Sequence, residues 1–452
     1  MRCRWKERIH TGMAKIDELG DWRRTHRSID LSPKLEGRNV TIMGWVSSIR
    51  RQGGITFLIL QDRDGVMQIT ARKGRTPKTV LSRIESLTPH SVVAVSGKVK
   101  AIEKAPQGAE IVPEEIRVLN LATRNPPFSL FGGEIPNIDK RLDIRSLELR
   151  RPKPRAIFKI RHVALAAIRE YLDDKGYLEV QTSKIIASAT EGGAALFPVL
   201  YYDKEAFLVQ SPQLYKEQLT MSFEKIFEIG PVFRAEPSRT LKHLAEIVSV
   251  DVEEAYISYL DAMENLENLV HHTMKTVSED CRAELQELGV EIEVPKLPFK
   301  KLTYTEVLDI LHKAGDKTEW GEDMSTAATK KLSETYPGFY FVTEWPTDSK
   351  PFYIKPSSDR PEISEAFDLM HGPLEIASGG TRLCSKKMLM KRLKEQGLKP
   401  RMFDYHLKLF DYGMPPHAGF GLGLDRFMMV ITKETNIREV TLFPRDRLRL
   451  SP

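Results

Sequence analysis

The residues best suited to chemistry lie in the stretch 227–256, FEIGPVFRAEPSRTLKHLAEIVSVDVEEAY. Arg234, Glu236, Arg239, Lys242 and His243 stand there between two runs of strand character. In the second run Val248, Val250 and Val252 alternate with Ser249, Asp251 and Glu253, the period-2 pattern of a strand with one buried face. Pro237-Ser238 suits a turn. An antiparallel pair with a cationic loop at its tip can hold a polyphosphate. Arg234 would be fixed on the strand, and Arg239, Lys242 and His243 would reach over from the loop. The same stretch also suits a solvated charged hairpin, and the rest of the chain decides between the two.

Further clusters follow the same pattern of charge beside glycine. They are Glu191-Gly192-Gly193; Gln210-Ser211-Pro212-Gln213 with Lys216; Asp368 and Glu375 with Ser378-Gly379-Gly380 and Arg382; and GFGLGLDR, which contains Gly423 and Asp425 and ends at Arg426 before an apolar helix. The glycine-rich run is neither GxGxxG after a strand nor a Walker loop, which argues against Rossmann and P-loop folds.

These clusters need elements to position them. At 452 residues the chain is too long for one core, so two or three domains are expected. Cys3, Cys281 and Cys384 are isolated and give neither a disulfide framework nor a structural zinc site. No apolar run approaches membrane-spanning length and the basic N-terminus lacks the apolar core of a signal peptide, so a cytoplasmic protein without a membrane partner is expected. The formal net charge of +6 is compatible with a nucleic-acid partner without demanding one.

Residues 1–37 form a basic extension and lead-in, frayed over the first 25 or so, with Met13 an alternative start and a basic arm touching RNA the lesser reading. Residues 38–122 hold five short strands, with turns at Gly53-Gly54 and Asp64-Gly65 and one helical stretch after the third. That is the order of an OB-fold barrel, which binds single-stranded nucleic acid by stacking bases on aromatics in a basic groove. Arg50, Phe57 and Gln68 are candidates for that face, though each also suits a core aromatic or a surface polar group. Residues 123–155, rich in Pro and Arg, read as an interdomain hinge. In residues 156–452 a helix carries Ile157, Ile160, Ala164, Ile168, Tyr171 and Leu172 on one face, with Gly176 as its C-terminal cap. A strand, YLEVQTSKI, follows, and residues 258–290 are strongly helical, an insertion or a packing layer. The class is α+β, an antiparallel sheet with helices around it.

FRAE with a downstream His, GFGLGLDRF and GYLEVQTSKI resemble motifs 2, 3 and 1 of class II aminoacyl-tRNA synthetases. QSPQLYK, SGGTR, YGMPPHAG and the ending LFPRDRLRLSP are similar to the aspartyl branch. Residues 25–452 thus resemble an archaeal-type aspartyl-tRNA synthetase of class IIb. The resemblance implies an N-terminal OB-fold β-barrel that binds the anticodon, a class II antiparallel-sheet catalytic domain, and a homodimer. It also implies a reaction: L-aspartate and ATP give aspartyl-adenylate, and the aspartyl group then moves to the terminal ribose of tRNA(Asp). The substrate's own carboxylate attacks the α-phosphate, so catalysis is positioning and charge neutralisation. By the same resemblance Arg234 binds the α-phosphate and the attacking carboxylate, and Glu236 holds the adenine side. His243 and Arg426 bind the β- and γ-phosphates, and Lys242, Gly423 and Asp425 belong to the same nucleotide site. Asp368, Glu375 and Ser378 offer hard oxygen ligands for Mg2+. Lys216 and Arg382 pair with the β-carboxylate and would leave asparagine's amide facing unpaired cations. Glu191 takes the α-ammonium, and Gln213 and Ser378 add hydrogen bonds. Asparaginyl relatives lack the lysine of QSPQLYK, which makes Lys216 the residue that favours aspartate.

Some positions depart from the family pattern. Ser183 stands where motif 1 normally ends in a proline at the dimer interface. Lys242 stands for an arginine, which keeps the charge and loses the bidentate fork. Asp425 stands for Glu, and Thr381 for the Gln of SGGQR. None removes a required charge. Ser47 and Pro106 stand where enzymes strict for the aspartate tRNA carry Trp and Lys, which favours a non-discriminating enzyme that also acts on tRNA(Asn). The rival readings are a discriminating enzyme with ordinary loop variation at Ser47 and Pro106, an asparaginyl enzyme, a paralogue making a free amino acid, and a catalytically inactive RNA-binding paralogue. Lys216 and GMPPHAG argue against the asparaginyl case, the OB module against the free-amino-acid paralogue, and Arg234, His243, Glu375 and Arg426 against a dead domain.

Overall fold

The computed structural model describes residues 15–130, 134–187 and 196–452. The chain divides into two compact units between Ile135 and Pro136.

In the first unit β1 (Asn39–Gln52), β2 (Ile55–Gln61), β3 (Val66–Arg72), β4 (Val92–Ala101) and β5 (Ala109–Asn120) close a barrel in the order β1-β2-β3-β5-β4, with α1 (Lys78–Glu85) after β3. Alternate residues such as Val40, Ile42, Leu58, Leu60, Met67 and Ile69 fill the interior, and α1 adds Val80 and Ile84 to that core. The expected barrel and its single helix are present. The lead-in differs from expectation: residues 15–37 are tied to the barrel. The Asp17 N–H donates to the Val118 carbonyl (2.8 Å), the Asp17 carboxylate takes Arg83 and the Val118 N–H, and Arg117 covers the Trp22 ring. Residues 1–14 lie outside the described residues.

The second unit opens with α2 (Ile138–Leu142), α3 (Arg145–Glu148) and α4 (Pro152–Asp174). Its strands and helices then run β6 (Leu178–Glu179), β7 (Ile185–Ile186), β8 (Pro198–Tyr201), β9 (Lys204–Leu208), α5 (Gln213–Phe223), β10 (Lys225–Phe233), β11 (Glu246–Ala255), α6 (Tyr259–Asp280), α7 (Arg282–Leu288) and β12 (Lys300–Thr303). After them come α8 (Tyr304–Lys313), α9 (Thr326–Thr335), β13 (Phe339–Thr343), β14 (Ala366–His371), β15 (Leu374–Thr381), α10 (Lys386–Glu395), α11 (Asp404–Leu407), β16 (His417–Gly423) and α12 (Leu424–Thr432). Eight strands form one sheet, β12-β13-β14-β15-β16-β11-β10-β6, antiparallel from β13 to β10 with a parallel strand at each edge.

The sheet separates two cores. Phe341, Phe367, Val250, Val252 and Phe420 point to the face covered by α4 and α6, so residues 258–290 are a packing layer. Tyr340, Val342, Ala366 and Met370 alternate to the other face, toward α8, α9 and α10. Gly176 ends the α4 region at φ +78, as a left-handed cap requires.

Two expectations are corrected. The hinge does not extend to residue 155, because Arg141 and Arg145 are buried and share the fully buried Glu148, and Arg141 also pairs with Glu439. Paired charges bind residues 136–155 into the second unit. The single strand in YLEVQTSKI is two short pieces. β6 runs parallel to β10, then Thr182 donates its N–H and hydroxyl to Glu228 and turns the chain toward β9.

Candidate active site

The expected antiparallel pair β10–β11 is present, with Ile229 opposite Val250 and Phe233 opposite Glu246. Its polar face does not look into solvent. Val250 and Val252 are buried, yet Asp251 and Glu253 on the opposite face are only 4% and 0% exposed. That face floors a cleft of about 420 Å³ formed with β15, β16 and the loop 234–245. Beside it lies a second cavity of about 270 Å³, and Lys242, His243, Lys350, Glu375 and Arg426 line both.

One end of the cleft is a row of cations. Arg234 follows β10 directly, and its N–H extends the ladder by one bond to the Ala245 carbonyl (2.9 Å). Arg426, in the first turn of α12, donates to the Glu375 carbonyl (2.9 Å) and the Lys242 carbonyl (3.4 Å), tying β15 to the loop. His243 Nδ1 lies 2.8 Å from the Thr240 hydroxyl. Burial and the nearby Arg426 charge push the His243 pKa down, so the ring favours the neutral form. Such a row, with backbone of Gly421 and Gly423 beside it, can gather a polyphosphate.

The other end is a buried charge lattice. Lys216 Nζ donates to Asp251 (3.0 Å), the Phe420 carbonyl (3.1 Å) and, more weakly, the Val252 carbonyl (3.5 Å), and lies 3.3 Å from Glu253. Arg382 places Nε and Nη2 on Glu253 at 2.9 and 3.2 Å, and its guanidinium stands over Tyr353. Gln213 donates its amide N–H to Glu217 (2.7 Å).

Residues 137–447 match the family model for class II tRNA synthetases (D, K and N), and residues 40–119 match that for the OB-fold nucleic acid binding domain. The chain belongs to the class II tRNA synthetases. This synthetase is similar to the aspartate--tRNA(Asp/Asn) ligase of Methanothermobacter thermautotrophicus, 47% identical, with 96% of this chain and 100% of the relative covered. It is similar also to the ligase of the same name from Methanocaldococcus jannaschii, 48% identical over 95% and 99% of the two chains. Among solved structures, the asparaginyl-tRNA synthetase of Pyrococcus horikoshii with asparaginyl-adenylate matches at TM-score 0.89 and 34% identity, over 94% of this chain and 98% of that one.

The site residues expected from the sequence fall unevenly. Arg234, Glu236, Lys242, His243, Glu375, Gly423 and Arg426 line the cleft together with Gln213, Lys216, Ser378 and Arg382. Glu191 lies outside the described residues. Asp425 lines the synthetase's cleft, but both its oxygens are engaged, by Arg161 (2.7 Å), the Val248 N–H (2.8 Å) and Thr441 (3.3 Å). It braces α12 against β11. Arg239 does not reach over the cleft: it pairs with Asp446 (3.1 Å) and Asp139. Lys216 and Arg382 are not the unpaired cations expected, because Asp251 and Glu253 already hold them.

Asp368 lies in the second cavity, buried, with Lys350 at 2.7 Å on one oxygen. Burial and the neighbouring Glu375 outweigh Lys350 and raise its pKa. Lys350, Asp251 and Glu253 are site residues that sequence reasoning missed. Two carboxylates alternating with valines at 250 and 252 were the available signal; Lys350, in a loop, offered none.

In the barrel, Arg50 pairs with Phe57 across β1–β2, and Phe57 with Thr70 across β2–β3, so Arg50, Phe57 and Gln68 share the outer face. Gln68 donates to Glu110 (3.1 Å). Ser47 sits at the bulge of β1, and Pro106 opens the tight turn between β4 and β5.

Proposed function

We propose that this synthetase joins L-aspartate to tRNA(Asp) and also to tRNA(Asn), through aspartyl-adenylate. The observation that carries the reading is one cleft with a phosphate-binding cation row at one end and Lys216 and Arg382 at the other. The full-length relatives named aspartate--tRNA(Asp/Asn) ligase support it, as do Ser47 and Pro106 in the OB module.

In this reading Arg234 binds the α-phosphate and the attacking carboxylate, and holds both through the pentacoordinate transition state. His243, Lys242 and Arg426 take the β- and γ-phosphates, while Glu236 takes the adenine side. Arg382 commits Nε and Nη2 to Glu253, and its Nη1 takes no part in that pair; it is the donor for the substrate's β-carboxylate. Lys216 sets the charge of the floor. Ser378 and the main chain of β15 complete the wall.

The oxygen atoms also fit a divalent cation. Asp368 Oδ1 is buried without a hydrogen bond, and Glu375 shares its cavity. No group of three ligands stands ready among the described residues, which suits Mg2+ shared with substrate phosphates better than a protein cage. Asp368 and Glu375 would hold the ion, with Ser378 across the strand pair from Asp368. When bound, Mg2+ neutralises charge on the phosphates.

Two further features go with this reading. Leu178, Ile185, Leu200 and Tyr201 lie exposed on β6, β7 and β8, apolar side chains suited to burial against a second copy of the chain in a homodimer. No helix of the described residues is long and apolar enough to cross a membrane, and a tRNA substrate fits work in the cytoplasm.

Aminoacylation of transcribed tRNA(Asp) and tRNA(Asn), each with aspartate and with asparagine, tests the proposal. Aspartate should load onto both tRNAs and asparagine onto neither. Loading of asparagine would overturn the amino-acid assignment, and no aspartylation of tRNA(Asn) would overturn the relaxed tRNA choice.

A further inference from the structure

Beneath the amino-acid end of the cleft lies a group that the reaction above leaves unassigned. Glu217, His406 and His417 are each 0% exposed, contributed by α5, α11 and β16. Glu217 Oε2 lies 3.3 Å from His406 Nε2 and 3.7 Å from His417 Nε2.

The surroundings decide where the protons sit. His406 Nδ1 is 3.2 Å from the Gln218 amide nitrogen, which only donates, so Nδ1 accepts and the proton is on Nε2, toward Glu217. His417 Nδ1 is 2.7 Å from the Pro415 carbonyl, which only accepts, so Nδ1 carries a proton. Its Nε2 then faces a carboxylate, which favours a second proton there. Burial alone would push the Glu217 carboxyl up, but the two rings outweigh it and hold it well below the usual carboxylate range. Burial alone would push His417 down, and Glu217 raises it.

An ionised carboxylate can only accept. Glu217 Oε1 lies 2.7 Å from Gln213 Nε2, so the amide's NH2 is committed below the floor. The carbonyl is then the half of the amide left for the cleft that Gln213 lines. We propose that Glu217 is a positioning residue for the amino-acid substrate: it locks the Gln213 amide with its carbonyl turned to the cleft, as acceptor for the α-ammonium. The inference rests on reading the cleft as an aspartate site. A neutral amide at 217 could donate as well as accept. The Gln213 amide could then turn over and present its NH2 to a cation.

The test is ATP–pyrophosphate exchange with the full chain. In Glu217→Gln the KM for aspartate should rise about tenfold, the scale of one hydrogen bond to a charged group. Turnover and the KM for ATP should stay within about twofold, since a positioning role touches neither. Exchanging the pair, Gln213→Glu with Glu217→Gln, returns an acceptor to the cleft and should bring the aspartate KM back. An unchanged aspartate KM in Glu217→Gln overturns the proposal. So does a joint rise of both KM values, which marks a damaged cleft, or a swapped pair that does no better than the single variant. Should Glu217→Gln fail to fold, the swapped pair decides alone, by its aspartate KM against that of the wild type. A wild-type chain without aspartate-dependent exchange would remove the underlying reading instead.

Discussion

At Asp251 and Glu253 the cleft departs from the simplest picture of charge selection. Two bare cations would bind any anion. Here Lys216, Arg382, Asp251 and Glu253 form a buried set whose formal charges cancel, and one guanidinium nitrogen stays outside the pairing. Removing Lys216 unbalances that set by one negative charge, at the place where the proposed function docks an anionic side chain. Breaking a buried pair from one side costs about 3–5 kcal/mol, because the partner charge stays buried. Lys216→Met should therefore lower aspartate-dependent exchange by about 100-fold or more, at ~1.4 kcal/mol per tenfold. Binding of ATP, whose phosphates the proposed site gathers at Arg234 and Arg426, should change little. Calorimetry with ATP beside exchange kinetics checks both halves, and full aspartate turnover in the variant would sink the account of side-chain selection.

Among the elements, three neighbouring strands set how close the two ends of the cleft lie. A Cβ on Gly419 would meet the Val252 carbonyl oxygen at 2.1 Å and Glu253 at 2.5 Å, so β16 reaches its distance from β11 only with glycine there. Gly379, on β15, is crowded in the same way by the Gly419 carbonyl oxygen and Phe367. Gly419→Ala should therefore separate β11 from β16. Overpacking of this kind costs about 1–3 kcal/mol or more. The expected outcome is a lowered melting temperature together with raised KM values for both ATP and aspartate, read by thermal unfolding and exchange. A variant with wild-type stability and kinetics would show that the strands can yield. The loop 234–245 has its own anchor in the C-terminal segment. Asp446 accepts from Arg239 and Arg438, Arg438 also reaches the Thr240 carbonyl (2.8 Å), and the Ala245 N–H meets the Arg445 carbonyl (2.7 Å). The ending LFPRDRLRLSP, met first as a branch signature, is the brace of the loop 234–245.

For the molecule as a whole, the two units carry separable chemistry. On the proposed function the adenylate step needs only the second unit, whereas recognition of an RNA loop falls to the barrel face with Arg50 and Phe57. Stacking one base on an aromatic contributes about 1–3 kcal/mol. Phe57→Ala should raise the KM for tRNA in aminoacylation by about tenfold or more and leave tRNA-independent exchange unchanged. Measuring both on one preparation separates the outcomes. Equal losses would mark damage to the folded enzyme as a whole, and no change in either would remove Phe57 from the RNA face.

Much of this was legible in the sequence because it depends on neighbours along the chain. Valines at every second position mark β11, GFGLGLDRF marks a strand entering a helix, and the order of five short strands marks the barrel. FRAE with its downstream His, GFGLGLDRF and GYLEVQTSKI carried the family likeness and with it the expected chemistry. Other features were set only by the packed molecule. Alternation tells that Val250 and Asp251 face opposite ways, but not that both faces are covered. Arg239 looks like a phosphate ligand until Asp446, 207 residues away, claims it, and Lys350 has no meaning until Asp368 lies beside it. Periodicity is a property of one segment, whereas the partner of a buried charge is chosen by which distant segments the sheet brings into contact.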